Sequence, residues 1–240
     1  MWRLLTNTIG VTRSDNSIDA EGALSIRSHA SGVPKVAGSS IALATGADLS
    51  STTVVSVTDS AGTTWQAEVL SATDSAVVFL APDGIASGIA SVSIGGQSGG
   101  VLIDTVAPGL YSADGTGQGV ARAEAVLIGA DGTSTAQPVF VCGAAGGSCV
   151  ASPLELGAKE SDQLLITLRG TGLRGFSGVA NVAGRIGGSI APVVSIGSGS
   201  EPGVDQVQLI VPRSLAGAGE VSIVLTVDGQ TANVVTIAIQ

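Results

Sequence analysis

Aromatic residues are nearly missing from this 240-residue chain: Trp2, Trp65, Phe79, Tyr111, Phe140 and Phe176 are all of them. Sugar platforms and base-stacking surfaces are built on aromatic rings, so a lectin, a carbohydrate-binding module and a single-strand nucleic-acid binder are disfavoured. Positive charge is also scarce. Ten Lys and Arg stand against nineteen Asp and Glu, and the net charge of −9 repels phosphate backbones. Neither a nucleic-acid nor a carbohydrate partner is expected. No apolar run approaches the roughly 20 residues that span a bilayer, and no basic helix is present for a membrane surface.

Groups for chemistry are as sparse. His29 is the single histidine. A Ser-His-Asp triad would have to use it from a segment that reads as a linker, and a zinc site would lack further ligands. Asp59, Asp74, Asp83, Asp114, Asp131 and Asp228 are scattered over turn sequences. There they read as hairpin formers rather than as the paired carboxylates of a glycosidase. The glycine run Gly115–Gly119 lacks the Lys-Ser/Thr ending and the helix of a phosphate cradle, and reads as a turn. Calcium would find its best oxygens at Asp104 and Asp114, but no D-x-[DN]-x-[DN]-G run is present. A Lys–Asn crosslink would have to draw on Lys35 or Lys159 with Asn181 or Asn233, and Lys159 lies in a polar run that reads as an exposed loop. The expectation is a protein with no catalytic, cofactor-binding or metal-binding residues, and not an enzyme.

Cys142 and Cys149 bracket the segment Gly-Ala-Ala-Gly-Gly-Ser. Their spacing does not suit a metal or redox pair and no His is near. They read as a small disulfide pinning a Gly/Ala hairpin, which implies an oxidising compartment. Met1-Trp-Arg-Leu-Leu-Thr-Asn is too polar for a secretory leader, so export is expected to rely on an upstream region.

Present in abundance are glycine, 35 residues of it, and period-2 alternation, which together describe a β protein with many turns. The clearest stretch is Gly203–Gln240. Val207, Leu209 and Val211 share one strand face; Val221, Ile223, Leu225 and Val227 a second; Val235, Ile237 and Ile239 a third. Pro212 ends the first strand and Asp228-Gly229 is a hairpin turn. A shorter copy runs from Val77 to Ile103. Leu80-Ala81-Pro82 matches Ile210-Val211-Pro212, Ile85-Ala86 matches Leu215-Ala216, and Gly95-Gly96-Gln97 matches Asp228-Gly229-Gln230.

Two copies of one β unit give an all-β chain of two tandem Ig-like β-sandwich domains, residues 37–106 and 107–240, after an N-terminal extension of residues 1–36. The extension has three readings: a linker, a strand docking on the first domain, or a strand docking on another copy. Trp65 reads as a core or rim residue. In the first domain, Gln97–Gly100 reads as a turn and Val101–Val106 as the closing strand. In the second, strands are expected at Val120–Ile128, Asp162–Arg169, Ser177–Ile186 and Ala191–Ile196, with Gly170-Thr171-Gly172 as a break.

The ordered motifs APGLYSADGTGQGVARA (Ala107–Ala123), LRGTGLRG (Leu168–Gly175), IGG (Ile186–Gly188), GVDQVQLIVPRSLAG (Gly203–Gly217) and VDGQTANVVTIAI (Val227–Ile239) resemble the Solibacter-type uncharacterised C-terminal domain family. Those domains stand at the C-terminal end of exported proteins of Acidobacteria and relatives. The resemblance covers about Ala37 to Gln240 and is weaker in the first half. It implies export, tandem Ig-like or IPT-like modules and a non-catalytic role, and supplies no catalytic residues. The expected function is a non-enzymatic extracellular or cell-surface module, a spacer or adhesion-type domain pair that meets a protein partner or itself. The alternative is a self-assembling extracellular fibre subunit joined by strand addition through the N-terminal segment.

Overall fold

The computed structural model describes residues 24–143 and 148–240. Residues 1–23, with Trp2 and most of the expected extension, and the tip of the cysteine loop lie outside them. The described chain is all β, with two single-turn 3-10 helices at Val179–Asn181 and Arg213–Leu215 and no α-helix among the described residues. Among these residues no helix is long and apolar enough to cross a membrane.

Residues 24–104 supply eight strands: β1 Ser25–Ser28, β2 Lys35–Ala37, β3 Ile41–Thr45, β4 Val55–Thr58, β5 Thr64–Ala72, β6 Ala76–Leu80, β7 Gly88–Ile94 and β8 Gln97–Asp104. They pair in the order β1-β3-β6-β5-β4-β7-β8-β2. β5 belongs to two layers. Its first half pairs with β4 (Val55↔Ala67) and its second with β6 (Glu68↔Leu80). Alternating residues of both layers meet in one core that includes Ile26, Val57, Val77, Phe79, Val92 and Ile103, as expected for strands with one buried face.

Residues 24–37 change the reading of the extension. β1 lies antiparallel to β3 and β2 parallel to β8, so this stretch forms both ends of the sheet. Leu24, Ile26 and Val36 are in the core. For these residues the docked-strand reading describes the structure, because three apolar side chains leave water only if the segment pairs. Gln97–Gly100 is also strand and not turn. Gly95 and Gly96 adopt φ of 56° and 84°, so two residues complete the hairpin and pairing resumes at Ile94↔Gln97.

Residues 109–239 supply β9 Gly109–Leu110, β10 Ala123–Ile128, β11 Ser134–Gln137, β12 Phe140–Cys142, β13 Cys149–Ala151, β14 Pro153–Leu154, β15 Gln163–Thr171, β16 Val182–Ile186, β17 Ser189–Ala191, β18 Val193–Ser198, β19 Asp205–Ile210, β20 Gly219–Val227, β21 Gln230–Thr231 and β22 Val235–Ile239. One sheet runs β11-β10-β15-β19-β18 and the facing one β14-β22-β20-β16-β17. A second core lies between them, with Leu164, Ile166, Leu168, Leu209, Leu225 and Ile237 among its members. The described residues thus form several sheets of a kind compatible with a β-sandwich.

The pairing order of the first half recurs. β1-β3-β6-β5 corresponds to β10-β15-β19-β18, and β5-β4-β7-β8-β2 to β17-β16-β20-β22-β14. The long β5 becomes two strands because Pro192, between β17 and β18, cannot donate to a ladder. The bulge survives at the same place. Leu70 is extra between Val69 and Ser71, and Val194 between Val193 and Ser195. The expected strand Ser177–Ile186 forms only from Val182, after a 3-10 turn. β12 and β13 form a separate hairpin closed by the Cys142–Cys149 disulfide.

Candidate functional site

A cluster of close contacts and buried polar side chains lies where the two halves meet, and LRGTGLRG (Leu168–Gly175) sits at its centre. β15 carries this motif to its end at Thr171, so the expected break falls after the threonine. A Cβ on Gly172 would stand 2.3 Å from the carbonyl oxygen of Ala107, and one on Gly175 2.0 Å from that of Thr105. Both glycines are therefore required by the close approach of the connector Thr105–Pro108, in which Val106 is fully buried. Fully buried Thr171 joins the halves directly. Its Oγ1 accepts from the Ile41 N–H at 2.8 Å and donates to the Gly203 carbonyl at 2.7 Å. Gly203 has φ 74°, and a side chain there would strike Ile41 and Leu80.

The charged members of the motif are also committed. Arg174 Nε donates to Asp205 Oδ1 at 2.6 Å, and the Leu173 N–H to Asp205 Oδ2 at 2.7 Å. Burial raises the pKa of the Asp205 carboxyl above its ordinary value, against the pull of these two donors. Arg169 bridges Glu124 at 2.7 Å and Glu201 at 3.2 Å. Its hydrogen bond to Glu124 raises its pKa further.

A second polar group closes the other side. Lys35 Nζ donates to Gln230 Oε1 at 2.7 Å, and Gln230 Nε2 donates to Asp104 Oδ2 at 2.8 Å. Burial pushes Asp104 up, but the bonds from Gln230 and Thr105 and the charge of Lys35 outweigh it and hold the carboxyl low. Ala30 packs against Gly109, where a side chain would be tight, and its carbonyl faces Gly117, which has positive φ and no room for a side chain. Asn233 ties these two segments together by donating to the Leu110 and Gly117 carbonyls and accepting the Leu110 N–H.

Between these contacts a cleft of about 260 Å³ opens. Ile41, Leu70 and Val78 line it from the first half and Val204 from the second. Its polar wall is His29, Tyr111, Arg122, Arg169 and Glu201. Tyr111 is buried, and its hydroxyl lies 3.3 Å from His29 Nδ1. Burial raises the phenol pKa, so it remains protonated. His29 keeps much of its surface exposed, yet the surrounding protein desolvates its ring and lowers its pKa. The backbone N–H of Arg122 donates to the Tyr111 carbonyl at 2.8 Å. Among the described residues the Arg122 guanidinium has no ion-pair partner.

The residues singled out from the sequence are placed as follows. Cys142 and Cys149 are bonded. Asp59, Asp114 and Asp131 accept hydrogen bonds from neighbouring turn residues, and Asp228 from Ser177. Asp83 takes the Ser39 hydroxyl. The structure does not bring Asp104 and Asp114 to common partners: Asp114 holds Ser112 and Thr116, Asp104 holds Gln230 and Thr105. Among the described residues no cluster of three metal-ligating side chains occurs. Asn181 donates to Ser177 and Lys35 turns to Gln230, so neither enters a Lys–Asn pair. Trp65 is half-buried at the core rim, donating to Asp59. From sequence Thr171 is expected only as part of a strand break and Tyr111 only as one of the few aromatics, while Arg122 and Asp205 carry no functional role. The one available sign was the density of glycine and arginine in Leu168–Gly175. No model of a known protein family matches the chain, and no curated protein matches it.

Proposed function

We propose that the chain is a non-enzymatic extracellular module, two Ig-like β-sandwich domains in tandem that act as a stiff spacer or adhesion-type element toward a protein partner. The observation that carries this is the junction. A four-residue connector is pressed onto Gly172 and Gly175, and Thr171 bonds both halves at once. Interdomain contacts of ordinary size leave domains free to move. Here the steric fit and the Lys35–Gln230–Asp104 bridge oppose that motion. The disulfide and the acidic surface support an oxidising, extracellular setting. The repeated strand order and the motif resemblance to the Solibacter-type C-terminal domains support the tandem assignment.

Small-angle scattering of the full chain should fit one conformation, and Gly175→Val should loosen it by driving a side chain into the Thr105 carbonyl. Wild-type scattering that demands many relative orientations would remove the spacer reading. Compartment is tested on producing cells. A membrane-impermeant label should reach the protein, and Cys142 and Cys149 should alkylate only after reduction; two free thiols in an interior pool would overturn export. The fibre alternative would need a donor strand from residues 1–23, because Ser25–Ser28 and Lys35–Ala37 are already paired within their own chain.

A further inference from the structure

The cleft between the halves has the construction of a binding site, and the spacer role makes no use of it. Three observations bear on it. First, its apolar wall is shaped by an irregularity. Leu70 is the extra residue of the β5 bulge and lies in the cleft lining with 39% of its surface exposed. Bulges re-aim side chains and are enriched beside sites. Second, the polar wall offers donors with capacity to spare. In the tautomer with the proton on Nδ1, His29 donates to the Tyr111 oxygen and leaves the phenol O–H free to donate outward. Third, the charge is one-sided. Arg169 is balanced by Glu124 and Glu201, while Arg122 has no acidic partner among the described residues. A cation without a partner on a chain of net charge −9 invites an anion.

We infer that this cleft binds a carboxylate carried on a short branched aliphatic group. The carboxylate would take the Arg122 guanidinium and the Tyr111 hydroxyl, and the aliphatic body would lie against Ile41, Leu70, Val78 and Val204. A planar monoanion matches a guanidinium fork. A phosphate dianion would face Glu201 and the acidic surface, and it has no use for four apolar side chains. The volume of about 260 Å³ is ample for a group of leucine size. The same chemistry occurs in a free short-chain acid and in the C-terminal residue of a peptide.

Heteronuclear NMR of the full ¹⁵N-labelled chain tests this. Isocaproate should produce saturable shifts confined to the amides around Leu70, Tyr111, Arg122 and Val204. N-acetyl-leucine distinguishes the sources: binding tighter than isocaproate points to a peptide terminus, and weaker binding to a free acid. Losing the charged contact should weaken binding about tenfold or more, both for isohexanol, the uncharged alcohol with the same carbon skeleton, and in Arg122→Gln. Leu70→Ser should weaken isocaproate and isohexanol alike. The spectrum of each variant outside the cleft reports whether it is folded, and Arg122 and Leu70 are both exposed enough to replace. The assignment is overturned if isocaproate does not saturate, if isohexanol or inorganic phosphate binds as well as isocaproate, or if folded Arg122→Gln binds unchanged.

Discussion

Asp59 shows what the turn aspartates do. Its Oδ1 accepts the Ala61 and Thr63 N–H groups at 3.0 Å, and its Oδ2 accepts Trp65 Nε1 at 2.8 Å and the Ala86 N–H at 3.2 Å. The Trp65 bond, then those from the backbone, hold its pKa below the ordinary carboxylate value. One side chain thus ties the β4–β5 turn to the segment that leads into β7. Asp59→Ala should lower the thermal midpoint and shift tryptophan emission to the red as the Trp65 indole loses its partner. Asp59→Asn should fall in between, since its amide can accept on one side only. Thr171 is the corresponding residue between the halves. Thr171→Val keeps the shape but leaves the Ile41 N–H and the Gly203 carbonyl without partners. A loss of about 1–3 kcal/mol is expected from chemical denaturation, because buried polar groups left unmade are costly.

At the scale of elements, two irregularities decide the outline. Pro192 divides in the second half the strand that stays whole as β5 in the first, yet both halves keep the bulge, at Leu70 and Val194. The β12–β13 hairpin is the other case. It forms a two-stranded sheet of its own, and Cys142 and Cys149 face each other across it. An isolated hairpin is marginal in water, so the crosslink holds this element more than the whole. Cys142→Ser with Cys149→Ser should leave the amide spectrum of the two cores unchanged and raise hydrogen exchange in residues 140–142 and 149–151. General unfolding of the variant would show that the disulfide supports the core.

For the molecule as a whole, the carboxylates set the response to acid. Asp59, Asp104, Asp114, Asp131 and Asp162 all have folded-state pKa values below their ordinary ones. Their contribution to stability is therefore complete above about pH 4, the unfolded carboxylate range, and is lost as pH falls through the depressed folded values. Asp205 has the opposite sign. Its raised value favours the fold only at low pH, and that contribution is lost as pH rises through it. Five carboxylates oppose one, and His29, held below its ordinary value by burial, adds a small loss as pH falls through about 6.5, the unfolded imidazole value. The denaturation midpoint should therefore decline slightly from neutral pH to about pH 5 and fall steeply below about pH 4. A midpoint that rises on acidification would contradict this ordering.

Local chemistry was enough to reveal the all-β class, the repeat and the disulfide. Val221, Ile223, Leu225 and Val227 alternate along one strand, Pro212 cannot continue a ladder, and Asp228-Gly229 turns within two residues. Each of these rules acts over a few neighbouring positions. Ala23–Ile26 reads from sequence as a possible short strand and overlaps Ser25–Ser28, whereas Lys35–Ala37 lies in a stretch that reads as a linker, because three residues are too few for a period to show. The junction was legible only as a dense motif. Gly172 and Gly175 must be glycine because the carbonyls of Ala107 and Thr105 lie against them, and Thr171 matters because Ile41, 130 residues earlier, ends beside it. Likewise His29, Tyr111 and Arg122 share a wall only once the halves dock. Turn and strand chemistry is written between neighbours and can be read there. The cleft is made by contacts between residues far apart in the chain, and only the tertiary structure decides which of them meet.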